Sequence, residues 1–150
     1  YSGKGKAPWN GVTYQRSEVR LRQLKDGTSK TMLVGEKYLN PDRYFDGNDP
    51  ADDQNLFGGF DRDINGFTGQ GSRAPGNALL LARNGNHRQA RPYQDQPGIT
   101  ERNWNFGSKH VSSFNCVLAD GSVQAISYDI DGAPWAALGG VADEIAVSEE

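Results

Sequence analysis

Residues 114–128 read Phe114-Asn115-Cys116-Val117-Leu118-Ala119-Asp120-Gly121-Ser122-Val123-Gln124-Ala125-Ile126-Ser127-Tyr128. Two β-prone runs flank Asp120-Gly121. That dipeptide is the strongest short-range hairpin signal, because a two-residue type I′ turn needs positive φ at both central positions. Such a turn sets the pairing: Ala119 opposite Ser122, Leu118 opposite Val123, Cys116 opposite Ala125 and Phe114 opposite Ser127. Phe114, Cys116, Leu118, Val123 and Ala125 then share one face, which we assign to the core. Cys116, the one cysteine in the chain, reads as a small buried hydrophobe, and no intrachain disulfide can form.

Beyond the hairpin, Asp131-Gly132-Ala133-Pro134-Trp135-Ala136-Ala137-Leu138-Gly139 predicts a short helix, with Pro134 in its first turn and Gly139 at its stop. Before it, Tyr1–Gly11 is a polar, basic lead-in loop, and Val12–Tyr14 is a short strand candidate. Ser17–Leu21 alternates like a half-buried strand. Asp26-Gly27-Thr28-Ser29 is a turn, and Thr31–Tyr38 reads as a buried strand. Residues 40–76 are rich in Asp, Asn, Gly and Arg. A loop this long needs pinning, which we assign to Tyr44, Phe45, Phe57, Phe60 and Phe67. Ala78–Ala82 is one more short strand candidate, and Asn84–Thr100 is again loop.

The bulk properties fit one domain over 1–150, with a modest core. Only 35% of the 150 residues are hydrophobic, while 19 Gly and 7 Pro call for many turns. Aromatic residues at 10% argue against disorder. A net charge of -3 offers no footprint for nucleic acid. No apolar run approaches transmembrane length. The fold class read from these features is α+β, mainly antiparallel β, with long loops and a short C-terminal helix.

Three blocks, in order, form a pattern. Asp26-Gly27-Thr28-Ser29-Lys30-Thr31 is followed by Leu33-Val34-Gly35-Glu36. Phe106-Gly107-Ser108-Lys109-His110 is followed, after nine residues, by Asp120-Gly121-Ser122-Val123. Ser127-Tyr128-Asp129-Ile130-Asp131 then leads into the short helix. Together they resemble a planctomycete family with a pilin-type N-terminal cleavage and methylation segment and a domain of unknown function numbered 1559. Lys30 stands where that family usually has Asn, Val111-Ser112-Ser113 replaces a usual Pro-Gly-Gly, and Asp143 precedes Glu144 where Gly is common. The resemblance implies a pilin-like (pseudopilin-type) globular domain that is mostly antiparallel sheet. It also implies an apolar N-terminal helix, absent from this chain, that anchors in the membrane and later packs in a filament core. The chain begins at Tyr1 rather than Met, so we expect an N-terminal segment to be missing. The expected role is a non-catalytic structural subunit of a cell-surface or secretion-linked filament. The expected location is extracellular or at the cell surface, the partner is further copies of itself, and membrane contact comes only through the missing helix.

Asp61-Arg62-Asp63-Ile64-Asn65-Gly66 matches the first half of a calcium loop, with Asp61, Asp63 and Asn65 as ligands. The twelfth position is Ser72 rather than Glu, and turn-capping or pairing with Arg62, Arg43 or Arg73 explains the same carboxylates. Calcium is the one cofactor expectation. Asp46, Asp49, Asp52 and Asp53 form a second acidic group, read as a solvated loop. His110 and Asp120 resemble an acid–base pair, yet no nucleophile with an orienting third group accompanies them. His110 is expected to bond a carbonyl or carboxylate and fix the loop entering the hairpin. Glu36, with Asp26-Gly27 and Asp120-Gly121, is assigned to fold maintenance. The backbone of Asp26–Ser29, or an Arg, is its expected partner. His87 reads as an exposed loop residue. Two separated histidines and one cysteine make no zinc signature, and Gly3-Lys4-Gly5-Lys6 has the wrong context for phosphate. A second functional reading is a secreted carbohydrate-binding module using Trp9, Trp104 or Tyr93 as platforms, and a hydrolase ranks behind both.

Overall fold

The computed structural model describes residues 11–13, 17–53, 55, 57, 64, 66, 68, 91–99 and 105–141. The Ala78–Ala82 strand candidate, Phe60, Phe67, His87, Trp9, Trp104 and the calcium-loop residues Asp61, Asp63 and Asn65 lie outside these.

Three strands form the main sheet, in the order β1 (Met32–Gly35), β4 (Ser113–Leu118), β5 (Val123–Ser127), all antiparallel. A two-stranded parallel pair joins β2 (Tyr93–Gln94) to β3 (Gly107–Ser108). Helix α1 (Gly132–Gly139) follows the hairpin, and two 3-10 turns occur at Leu21–Gln23 and Pro41–Arg43. The α+β, mainly antiparallel architecture is the one expected. Among the described residues, no helix is long and apolar enough to cross a membrane.

The hairpin forms, one residue away from the expected register. Phe114 faces Ile126, Cys116 faces Gln124 and Val117 faces Val123. The loop has three residues, Ala119-Asp120-Gly121. The Gly121 N–H donates to the Leu118 carbonyl (2.9 Å), the Leu118 N–H donates to the Ser122 carbonyl (2.9 Å), and Gly121 sits at φ 86°. This is the longer hairpin, in which a left-handed glycine follows the turn. Docking explains the extra residue. The N–H groups of Ala119 and Asp120 donate to the carbonyls of Thr31 (2.8 Å) and Thr28 (3.1 Å), so the hairpin loop is built onto the Asp26–Ser29 turn.

A one-residue slip turns every side chain of one strand over. Phe114, Cys116 and Leu118 are buried as expected, but Val123 is 68% exposed and Ala125 lies outside with it. Ile126, a larger apolar side chain than Ala125, takes the inner place. The core is Met32, Phe114, Cys116, Leu118, Ile126 and Trp135, with Phe106, Tyr128, Ile130 and Leu138 packed around it. Trp135 of α1 stands edge-on to Phe106 (5.6 Å between centroids) and Phe114 (5.8 Å), and Phe106 stacks on Phe114 (5.9 Å). Such pairs add about 0.5–1.5 kcal/mol each beyond the area they bury.

Four further expectations are corrected. Val12 and Thr13 belong to no strand; Gly11 makes only an isolated bridge to Gly140. Ser17–Arg20 is irregular and Leu21 begins a 3-10 turn, its side chain 62% exposed, so this segment forms no strand. The Thr31–Tyr38 segment is regular only over Met32–Gly35 and is half-buried, with Val34 exposed, because β1 covers the core with one face alone. Phe45 and Phe57 are 99% and 94% exposed, so neither pins its loop by burial. Tyr44 does pin its loop: its hydroxyl donates to the Asp95 carboxylate.

Candidate functional site

The expected motif residues separate into two groups at opposite ends of the β4–β5 hairpin. Asp26, Gly27, Asp120 and Gly121 gather at the turn end. The Asp120 carboxylate accepts from the Ser122 N–H (2.9 Å) and hydroxyl (2.6 Å). These bonds to Ser122 pull its pKa below the ordinary Asp value. Thr31, fully buried, donates its hydroxyl to the Gly27 carbonyl (3.1 Å). Two turns rich in Asp and Gly thus lock against each other through backbone bonds, with the Asp120 side chain serving its own loop.

Glu36 and His110 meet at the other end. The six residues of β4, roughly 20 Å of strand, lie between His110 and Asp120, so these two make no acid–base pair. The His110 Nε2 lies 3.5 Å from the Glu36 Oε1, with both side chains substantially exposed. The other carboxylate oxygen accepts from the Asn115 N–H (2.7 Å) and its side-chain amide (3.3 Å). Among the described residues the partners of Glu36 are therefore Asn115, His110 and Ser108, rather than the Asp26–Ser29 backbone or an Arg. Partial burial pushes the Glu36 pKa up, but bonds from Asn115, the nearby imidazole and the Ser108 hydroxyl outweigh it, leaving it below the ordinary Glu value.

Ser108 and Tyr128 complete this knot. The Ser108 Oγ accepts from the His110 N–H (3.2 Å) and lies 3.0 Å from the Tyr128 hydroxyl, which also contacts the Ser108 carbonyl at 3.1 Å. Burial raises the Tyr128 pKa above the ordinary Tyr value despite its bonds to Ser108. Glu36, the loop at His110, β3, β4 and the end of β5 are thereby tied at one point. No hydrogen bond between the Ser108 Oγ and the imidazole ring occurs among the described residues; the Ser108 hydroxyl bonds Tyr128 and the Glu36 carboxylate instead. The geometry is that of a fastener.

A third set of ties closes the loops. Asp49, 2% exposed, accepts from the N–H groups of Asn40 (2.7 Å) and Ala51 (2.9 Å), so the second acidic group is only partly a solvated loop. Asp52 lies 3.6 Å from Lys37, and Asp46 accepts from Arg43 at 2.9 Å. Asp95 accepts from the Leu39 N–H (3.0 Å) and from Tyr44. Burial, then the neighbouring Asp95, drives the Tyr44 pKa well above its ordinary value. Tyr93, offered as a carbohydrate platform, is half-buried in β2. Among the described residues, no three His, Cys, Asp or Glu side chains converge on a metal position.

Sequence reading did not find Ser108, Asn115 or Tyr128 in the knot, nor Asp49 and Asp95. For Ser108 a signal existed, since it stands two residues before His110 inside the motif. The others depend on contacts distant in sequence.

A small, mostly antiparallel sheet, backed by one short helix and an aromatic cluster and fastened at both ends by polar ties, defines a compact α+β domain. The chain belongs to the family described as "Protein of unknown function (DUF1559)", whose sequence model matches residues 2–133. No curated protein and no solved structure matches it.

Proposed function

We infer that this chain is the globular part of a pilin-like, pseudopilin-type surface protein of planctomycete kind, a non-catalytic structural subunit of a cell-surface or secretion-linked filament. The observation that carries this reading is the use of the motif residues. Glu36 and His110 fasten one end of the sheet, and Asp26-Gly27 and Asp120-Gly121 fasten the other. Residues in such roles maintain a fold, as a filament subunit requires. In this reading the full-length protein is extracellular, carries an apolar N-terminal helix, and assembles with copies of itself.

The test compares the 150-residue chain with the full-length protein by light scattering and negative-stain microscopy. The reading expects a monomer or weak association from the 150 residues at micromolar concentration, because lateral contacts between globular parts are small. It expects filaments from the full-length protein. A tight, discrete oligomer from the short chain with no filament from the long one overturns it.

Calcium at Asp61, Asp63 and Asn65 belongs to the same reading. Millimolar calcium should raise the melting temperature, since a ligand selective for the native state stabilises by mass action. Calorimetry showing no heat of binding would remove it. A binding role has one observation in its favour: Phe45 and Phe57 are almost wholly exposed, which is unusual for phenylalanine.

A further inference from the structure

The two edges of the main sheet are finished differently. Past the end of β1, the Glu36 carbonyl accepts from the Gly107 N–H (3.0 Å) and the Tyr38 N–H reaches the Asn105 carbonyl (3.1 Å), so residues 105–107 pair with the chain that continues from that strand. Strand β5 is the other edge. The Leu118 N–H bonds the Ser122 carbonyl and the Tyr128 N–H bonds the Ser112 carbonyl. In the antiparallel register of β4 and β5, the even-numbered residues of β5 therefore face β4. The N–H and C=O groups of Val123 and Ala125 point the other way. Among the described residues no hydrogen bond reaches them on that side.

Natural sheets blunt a free edge with lysine, proline, a bulge or a covering loop. The run Val123-Gln124-Ala125-Ile126-Ser127 has no charge and no proline, and its pairing with β4 is unbroken. Charge sits at its two ends. Asp120 precedes it, Asp129 and Asp131 follow it, and all three are exposed. None of the three is in an ion pair with another described residue.

We propose that the free edge of β5 takes an extended peptide segment of a partner protein as a fourth strand, uncharged in its centre and carrying Lys or Arg at both ends. Backbone groups of Val123 and Ala125 supply the ladder, and the acidic flanks select the sign of the partner's ends. Five residues of edge span roughly 17 Å, the reach of a short peptide. A second copy of this chain fits poorly. A two-fold axis through Ala125 would set Asp120 of one copy beside Asp129 and Asp131 of the other, placing like charges together at both ends. The inference uses only the folded sheet and stands apart from the filament reading.

The experiment uses the 150-residue chain and two labelled heptapeptides of alternating Thr and Val, one ended by Lys and one by Glu. Anisotropy at low salt should show the Lys-ended peptide binding at least about tenfold tighter, with the gap shrinking as salt screens the flanks. Ala125→Pro removes an outward N–H and leaves the β4 ladder intact; it should abolish binding while the circular dichroism spectrum is retained. If that variant unfolds, the double variant Asp129→Lys with Asp131→Lys serves instead, and it should narrow or reverse the preference. Equal affinity for the two peptides, no binding of either at millimolar concentration, or binding by a folded Ala125→Pro protein overturns the proposal. So does sedimentation showing that the chain alone dimerises and that Ala125→Pro dissolves the dimer, which would assign the edge to a second copy.

Discussion

The chain continuing from β1 and the strand β5 flank the same central strand β4, yet the first is paired along its outer side by residues 105–107 and the second, among the described residues, is open. Past β1 the chain returns once, residues 105–107 running beside Glu36–Tyr38, while the Glu36 carboxylate ties inward to Asn115 of β4. On the β5 side the outer groups of Val123 and Ala125 meet no other described residue. The difference teaches that the motif residues work at the two ends of the hairpin and leave the outer side of β5 unpaired among the described residues. Glu36, His110 and Ser108 fasten the closed edge, while Asp120 and Gly121 shape only the end of the open one. Closure by long-range ties makes the first edge sensitive to single atoms, and the second edge tolerant.

The most damaging change should fall on the closed edge. A Cβ on Gly107 would collide with the Tyr93 carbonyl oxygen, a backbone atom that cannot move without separating β2 from β3. Gly107→Ala should cost roughly 3 kcal/mol or more in denaturant unfolding. A loss below 1 kcal/mol would mean that the pair is not formed. Next comes the hairpin loop. Gly121 at φ 86° has open space around its Cβ position, so Gly121→Val meets backbone strain alone. The expected loss is about 1–3 kcal/mol, read from the melting curve, and an unchanged melting temperature would contradict the left-handed turn.

Smaller effects separate the two edges by pH and by surface. Glu36 has a folded pKa below its ordinary value, so its contribution is fully present above the ordinary carboxylate range and is lost as pH falls through the lowered value. Glu36→Gln should flatten that acid limb. Because Glu36 and His110 are both partly solvated, the change at neutral pH should stay under about 1 kcal/mol. An acid limb identical to the parent's would place the titration elsewhere. On the open edge, Val123→Thr should leave stability within about 0.5 kcal/mol. A large loss there would show that Val123 is covered.

Much of this comparison was legible in the sequence, and the rest has identifiable physical causes. The hairpin, its Asp-Gly loop, the core residues Phe114, Cys116 and Leu118, and the helix with Pro134 in its first turn follow from local rules. The register did not, because Asp-Gly suits both a two-residue and a three-residue loop. The choice is made by the carbonyls of Thr28 and Thr31, about ninety residues earlier in the chain. Ile126 and Val123 therefore exchanged the places that alternation alone assigned them. The aromatic cluster was hidden for a related reason: Phe106 sits in a polar run and Trp135 on a helix, and only tertiary contact joins them. His110 bonding a carboxylate could be anticipated as a type of contact, but Glu36 as its partner required the antiparallel pairing of β1 with β4.

Amide hydrogen exchange, resolved residue by residue by NMR on the 150-residue chain, tests the two-edge account most directly. The account predicts slow exchange for the amides of Tyr38 and Gly107 at the closed edge, and for Gln124 and Ile126 facing β4. It predicts fast exchange for Val123 and Ala125, whose amides point outward. Protection of Val123 and Ala125 equal to that of Gly107 would contradict it, because the open edge would then be covered in the free protein.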